Sequence, residues 1–168
     1  MESDGATEAR DAWQGDDMAG ARERLLAAIR QSPGDGEGPL ALGRLEMSLG
    51  NYEAALAAFT SATLLLPKTA AAYSSRALAC QKLGRSKQAA QAAIRAVSLD
   101  PADALALKVL ARIHLDAGQH EAAEQACRLV LQRDARDAEA AQMMGEALAQ
   151  EAKLAENLFV TADPQPKG

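Results

Sequence analysis

A repeat with a period of about 34 residues constrains this chain more than any other feature of its sequence. Pro33, Pro67 and Pro101 follow one another at this interval. Small and turn-forming residues keep the same spacing in three further columns: Ala21, Ala55, Ala89 and Ala123; Ala9, Gly43, Ala77, Ala111 and Gly145; and Asp16, Gly50, Gly84 and Gly118. Columns that share one register indicate an internal structural repeat, so we expect similar units stacked along the chain.

The composition decides which kind of unit repeats. Alanine occupies 40 of the 168 positions, and alanine has the highest intrinsic helix propensity. No run of Val, Ile and Thr alternates with the period of two that a half-buried strand requires. The sequence therefore predicts an all-α fold.

Each repeat reads as a helix, a short turn, a second helix and a second turn. The predicted units are 2–35, 36–69, 70–103 and 104–137. Gly50 is expected to end a first helix in left-handed geometry, and Pro67 to end a second helix because it lacks a backbone N–H. Asp103 is a good N-cap for the helix that follows it.

The C-terminal segment that follows the fourth unit breaks the pattern. The sequence predicts one long capping helix over residues 138–159, with apolar residues such as Met143, Met144 and Leu148 on one face. Such a helix is expected because the ends of a stacked repeat need a polar outer surface. Residues 160–168 are polar and contain two prolines, which predicts a flexible tail or a linker. We expect residues 2–159 to form a single domain.

The stretches Gly50 to Pro67 and Ala89 to Pro101 carry a family resemblance. A helix-turn-helix of this period with early small residues, a turn glycine and a final proline resembles the tetratricopeptide repeat. The resemblance implies a right-handed helical-repeat solenoid of about four units with a C-terminal capping helix. It also implies a concave groove that is lined by the first helix of each unit and binds peptides or partner proteins.

Charge and hydropathy exclude several other functions. The net charge of −5 disfavours nucleic-acid binding, which requires basic surface to displace phosphate counterions. No apolar run approaches the roughly 20 residues of a membrane span, so no membrane insertion is expected. The acidic start, Met1 to Asp4, does not resemble a signal peptide. Two cysteines are too few for a disulfide framework, which fits an expected cytoplasmic location. The Ala-, Arg- and Leu-rich composition is typical of bacterial proteins.

No motif in the chain points to catalysis. There is no phosphate-binding glycine loop and no HExxH sequence. His114 and His120 are six positions apart, so they do not share a helical face as paired ligands would. Cys80 and Cys127 lie on apolar stripes and are expected to be reduced core residues. We therefore expect no enzyme activity, no cofactor and no metal.

The expected functional surface is the groove formed by the first helices. When the units are projected in register, its lining mixes apolar and basic side chains, a combination that suits peptides with acidic groups. The predicted lining residues are Arg10, Leu40, Arg44, Met47, Leu78, Lys82, Leu105, Lys108, Arg112 and Leu115.

One known use of such a groove can be tested by residue type. Co-chaperones of the Hsp70 and Hsp90 kind hold a peptide carboxylate with a clamp of Lys, Asn, Asn, Lys and Arg. The matching columns hold Ala6, Arg10, Ala41, Ala71 and Ser75, or Leu40, Arg44, Ser75, Leu105 and Val109 one unit later. Neither set provides the clamp, so the sequence does not predict that function.

Two other readings of the chain stay open. It could be the N-terminal docking or regulatory domain of a larger enzyme, such as a bacterial transferase or oxygenase, with residues 160–168 as the linker. Self-association through the groove or through an end helix is also compatible with the sequence. The leading hypothesis is an interaction or scaffold module that binds a peptide or a partner segment in the groove.

Overall fold

The computed structural model of the chain describes residues 17–161, and their side chains as far as residue 157. The described part contains eight α-helices and no strand, which confirms the predicted all-α class. The helices are α1 (Met18–Gln31), α2 (Glu37–Ser48), α3 (Tyr52–Leu65), α4 (Ala70–Lys82), α5 (Ser86–Leu99), α6 (Ala104–Asp116), α7 (His120–Arg133) and α8 (Ala138–Thr161). The predicted first helix of unit 2–35 and most of the predicted tail lie outside the described residues.

The chain divides into two compact units, Met1–Val109 and Leu110–Gly168. In the first unit each helix from α1 to α4 packs against the next one along the chain, and α2 also contacts α4. In the second unit α7 packs against α8. Neighbours in sequence are thus neighbours in space, as a helical repeat requires, whereas the single domain over 2–159 stays a prediction.

The turn inside each helix pair is built in the same way three times. Gly50, Gly84 and Gly118 have φ angles of 76°, 69° and 71°. The N–H of Gly50 donates to the carbonyl of Met47 at 3.1 Å, and the N–H of Asn51 donates to the carbonyl of Glu46 at 2.9 Å. These two bonds define a Schellman motif, and both recur in the same register at each of the next two turns. The left-handed turn geometry predicted at Gly50 is confirmed.

Two of the helices that begin a pair have an aspartate cap. A side-chain oxygen of Asp103 accepts from the N–H of Ala106 at 2.8 Å, which confirms Asp103 as the N-cap of α6. Asp137 makes the equivalent bond to the N–H of Ala140 at 2.9 Å and caps α8. The cap is thus shared by these two positions, whereas Thr69, one repeat before Asp103, makes no side-chain cap bond at the start of α4.

The small-residue columns mark where paired helices cross. Ala55, Ala89 and Ala123 are fully buried. A Cβ atom built on Gly43 would lie 2.5 Å from Cδ1 of Phe59, so α2 and α3 approach too closely there for any side chain. Close approach at small residues lets larger side chains such as Phe59 fill the core on either side. The sequence period therefore reflects a packing requirement.

Candidate functional site

Helices α2 and α4 contact each other in the first compact unit. Arg44 and Met47 are three positions apart on α2, and Leu78 and Lys82 are four positions apart on α4, so each pair shares a helical face. Arg44 and Lys82 are exposed, and Met47 and Leu78 are half-buried. We call these four residues the basic–apolar surface.

The charges of this surface are available for a partner. In the described part of the chain, neither Arg44 nor Lys82 forms an ion pair with an acidic side chain. Arginines elsewhere on the chain do form such pairs, among them Arg22, Arg112 and Arg128. Arg44 and Lys82 are thus two exposed cations without an acidic partner among the described residues of an acidic protein.

Two of the predicted groove residues are core residues, and for them the prediction is wrong. Leu40 is 2% exposed and packs in the cluster that contains Phe59. Leu115 is 8% exposed and lies in the core of the second unit with Met143. A buried side chain offers no contact area to a partner, so neither residue belongs to a binding surface.

Arg112, one of the predicted basic groove residues, is paired with an acidic residue of the second unit. Its Nη1 atom lies 3.0 Å from Oε2 of Glu146, so an ion pair inside the second unit already offsets its charge. The two residues are one full repeat apart and occupy the same place in successive first helices. Side chains in one repeat column are neighbours in a stacked repeat, and this signal could have indicated the pair from the sequence.

The remaining predicted residues are distributed as follows. Leu105 and Lys108 are half-buried on α6. Arg10 lies outside the described residues. A single groove that includes residues from all four repeats therefore stays a prediction, and so does the basic–apolar surface, for which the structure shows that its two helices, α2 and α4, contact each other.

A buried carboxylate that the sequence analysis did not single out connects three helices. Glu46 is fully buried on α2 and accepts hydrogen bonds from Nε of Arg22 on α1 and from Nδ2 of Asn51, at 2.8 Å for the latter. Asn51 is the N-cap residue of α3. Because both donors satisfy the carboxylate, Glu46 has a structural role and is not an open reactive group.

In the second unit, His114 occupies the repeat position that Glu46 has in the first unit. His114 also has a hydrogen-bond partner inside the chain. Its Nδ1 atom lies 2.7 Å from Oε1 of Gln119, across the turn that joins α6 and α7. Among residues 17–161, no group of three or more His, Cys, Asp or Glu side chains could hold a metal ion.

Cys80 and Cys127 are buried and unpaired, as predicted. Burial raises the pKa of both thiols above the ordinary value of 9.0, although Arg76 and Arg112 partly oppose the shift at Cys80 and Cys127 respectively. A buried thiol with a raised pKa is mostly protonated at neutral pH, which makes it a poor nucleophile.

Successive helix pairs with matching turns, caps and crossing residues define a helical-repeat protein. The family model for the tetratricopeptide repeat matches residues 7–63, 40–85 and 75–141. The chain therefore belongs to the tetratricopeptide repeat family, which the sequence had suggested. No helix in the described range is both long enough and apolar enough to cross a membrane.

Solved structures share this fold at low sequence identity. A crystal structure of MamA protein has a TM-score of 0.77 and 22% identity, and the match covers 92% of this chain and 87% of that one. A tetratricopeptide repeat protein from Parabacteroides merdae has a TM-score of 0.76 and 21% identity, over 90% and 60% of the two chains. The TPR2B domain of yeast Sti1, in a complex with an Hsp70 peptide, has a TM-score of 0.63 and 22% identity, over 68% and 97%. A search of curated protein sequences finds no match.

Proposed function

We propose that the chain is a non-catalytic protein-interaction module, and that it holds an acidic peptide segment against the basic–apolar surface of α2 and α4. The observation that carries this proposal is the pair of exposed and uncompensated cations, Arg44 and Lys82, on two first helices in contact.

The apolar and the basic side chains of this surface would contribute to binding in different ways. Met47 and Leu78 supply apolar area, which provides most of the binding free energy when water is excluded. Arg44 and Lys82 orient an acidic segment and speed its approach, because electrostatic complementarity acts on specificity and association rate more than on affinity. Binding should weaken as salt rises, since exposed charges are screened over about 8–10 Å at ordinary ionic strength.

The structural neighbours give general support to a peptide-binding role. The Sti1 domain was solved with an Hsp70 peptide, and so was the second TPR domain of human RPAP3, with the peptide SGPTIEEVD. Those peptides are the partners of those two domains. In this chain the columns that would form a carboxylate clamp hold Leu40, Ser75 and Val109 among others, so we do not propose an Hsp70 tail as its partner.

The proposal is tested with an array of short peptides that vary in acidic and apolar content, each paired with a counterpart in which Lys replaces Glu. The strongest acidic binder is then titrated by calorimetry at low and high salt. We expect Arg44→Glu with Lys82→Glu to weaken binding about tenfold or more, because two attractive charges become repulsive.

The matched control is Lys68→Glu with Lys87→Glu. Both lysines are exposed in the same compact unit, and the variant changes the net charge by the same amount away from the basic–apolar surface. The control should bind nearly as tightly as the wild type, with unchanged helicity in both variants. Equal weakening by the two double variants would show that only net charge matters, and unchanged binding by the first would exclude this surface.

A further inference from the structure

Arg76 on α4 is a half-buried cation in a repeat column that is otherwise apolar. The equivalent positions hold Leu42, Leu110 and Met144, and Leu42 and Met144 each pack against a cluster of buried side chains. Among the described residues, the buried Nε atom of Arg76 has no hydrogen-bond partner and its side chain forms no ion pair. A guanidinium here loses hydration without an internal partner, which costs stability. The packing of the helices therefore gives no reason for an arginine at this position.

The contacts of Tyr73 show which side of α4 carries Arg76. The hydroxyl of Tyr73 lies 3.4 Å from the carbonyl oxygen of Pro67 and 3.5 Å from that of Thr63 on α3. The guanidinium carbon of Arg95, on α5, lies 5.7 Å from the centre of the Tyr73 ring. This side of α4 therefore contacts both α3 and α5. Arg76 comes three positions after Tyr73, so the two side chains are neighbours on one helical face.

Arg95 is a second cation at the same tyrosine. Its guanidinium lies over the ring of Tyr73, and its Nη2 atom is 3.5 Å from the carbonyl oxygen of Pro67. Arg95 is exposed, and it forms no ion pair within the part of the chain that the structure describes. A guanidinium that stacks on a ring keeps N–H donors along its edge, and these suit the two oxygens of a carboxylate. We call Tyr73, Arg76 and Arg95 the arginine–tyrosine cluster.

The sequence around this cluster contains no acidic residue. Positions 54–99 include all of α4 and α5 and most of α3, and they hold six basic side chains and no Asp or Glu, whereas the whole chain carries a net charge of −5. The six are Lys68, Arg76, Lys82, Arg85, Lys87 and Arg95. Charges of one sign on neighbouring helices raise the local potential, which attracts a ligand of the opposite sign. The charge pattern therefore favours an anionic ligand at the cluster.

The surroundings of the cluster favour a protein segment over a nucleic acid. Leu64 on α3 is 78% exposed, and Ile94, next to Arg95 on α5, is 59% exposed. Aliphatic side chains can pack against apolar side chains of a partner protein, whereas bases stack on aromatic rings, and the ring of Tyr73 already lies under Arg95. The acidic remainder of the chain would also repel a long polyanion, but a short acidic segment meets mainly the local field.

We propose that the arginine–tyrosine cluster binds a carboxylate from an acidic segment of a partner protein, whose apolar side chains pack against Leu64 and Ile94. This site is separate from the basic–apolar surface. Arg76 and Lys82 are six positions apart on α4, which places them about 120° apart around the helix axis. Binding at the cluster therefore does not depend on Arg44 and Lys82.

Arg76→Leu distinguishes a binding role from a structural one. Leucine occupies the same column at Leu42 and Leu110, so it fits the packing and removes the unpartnered guanidinium. The variant should have unchanged helicity and should unfold at the same urea concentration as the wild type or at a higher one. A lower urea midpoint would show that Arg76 supports the fold, and it would overturn the proposal.

Binding is measured with a synthetic peptide of repeated Leu-Glu-Glu triplets, while the amide signal of Tyr73 in the intact chain is followed by NMR. The peptide should shift this signal, and a peptide of Leu-Lys-Lys triplets should not. Arg76→Leu with Arg95→Gln should weaken the binding reported by Tyr73 about tenfold or more, because both charged donors are lost.

The matched control is Arg44→Leu with Lys82→Gln, which removes the same charge from the basic–apolar surface. The Tyr73 signal should respond to the peptide in this variant as in the wild type, so the two sites can fail independently. An unchanged Tyr73 signal in the wild type, or equal binding by the Arg76 and Arg95 double variant, would overturn the proposal. A short single-stranded oligonucleotide that shifts Tyr73 at lower concentration than the peptide would overturn the choice of a protein segment.

Discussion

Gly43 and Gly145 occupy the same position in their repeats but have different surroundings. The first lies against the ring of Phe59, where an added Cβ would be 2.5 Å from Cδ1, and the second has open space. The same residue type thus permits a close helix crossing at one position and only weakens a helix at the other. Identity in a repeat column predicts a shared backbone position, whereas the neighbouring helix decides the energetic role.

Gly43→Ala and Gly145→Ala should therefore change stability in opposite directions. Gly43→Ala forces Phe59 out of its place and should lower the free energy of unfolding by about 1–3 kcal/mol. Gly145→Ala should raise it by about 0.5–1 kcal/mol, because alanine loses less backbone entropy in a helix. Urea unfolding followed by circular dichroism, at low protein concentration, measures both. A loss of stability at both positions would show that the face of α8 is covered within one chain.

At the scale of elements, the helices are held in order by two repeated connections. Inside each pair, a glycine with positive φ ends the first helix and lets two backbone N–H groups satisfy its last carbonyls. Between pairs, Asp103 caps α6 and Asp137 caps α8. These devices fix the directions in which the chain turns, so the packing of α4 on α5 follows from local geometry as much as from the core.

Gly84→Ala tests the glycine turn. Gly84 has a φ of 69° and no neighbouring atom within 4 Å, so alanine there meets no clash but must adopt left-handed geometry. We expect a loss of about 1–2 kcal/mol in the free energy of unfolding, from the steric cost of that backbone conformation.

The control for this variant is Gly34→Ala. Gly34 also has open space around it, and its φ is not in the left-handed region. Its unfolding midpoint in urea should stay close to that of the wild type. If both variants behave alike, the left-handed conformation is not what makes glycine necessary at the turn.

At the scale of the molecule, the repeat itself was predictable because every unit has the same packing requirement where its two helices cross. Columns of small residues and turn glycines follow from that requirement, so the helices, the turns and the cap at Asp103 could be derived from the sequence. Which groove residues are accessible could not be derived. Leu40 and Leu115 were misplaced because burial depends on how the neighbouring helices close over a side chain, which the projected register does not contain.

The electrostatics of the site show the same limit. Arg112 forms an ion pair with Glu146 one repeat later, and the buried carboxylate of Glu46 accepts hydrogen bonds from Arg22 and Asn51. The repeat register could have indicated the first of these pairs, whereas the contacts of Glu46 depend on side-chain reach between helices, which the register does not contain. Arg44 and Lys82 are therefore the basic groove residues on which the functional account rests.

The most direct test of that account is a map of amide chemical-shift changes in the 17.6 kDa chain when the selected acidic peptide is added. We predict that the largest shifts occur on the faces of α2 and α4 that carry Arg44, Met47, Leu78 and Lys82, and that they diminish at high salt. Shifts concentrated on α3 and α5, or on α8, with the first helices unaffected, would contradict the claim that the basic–apolar surface holds the partner.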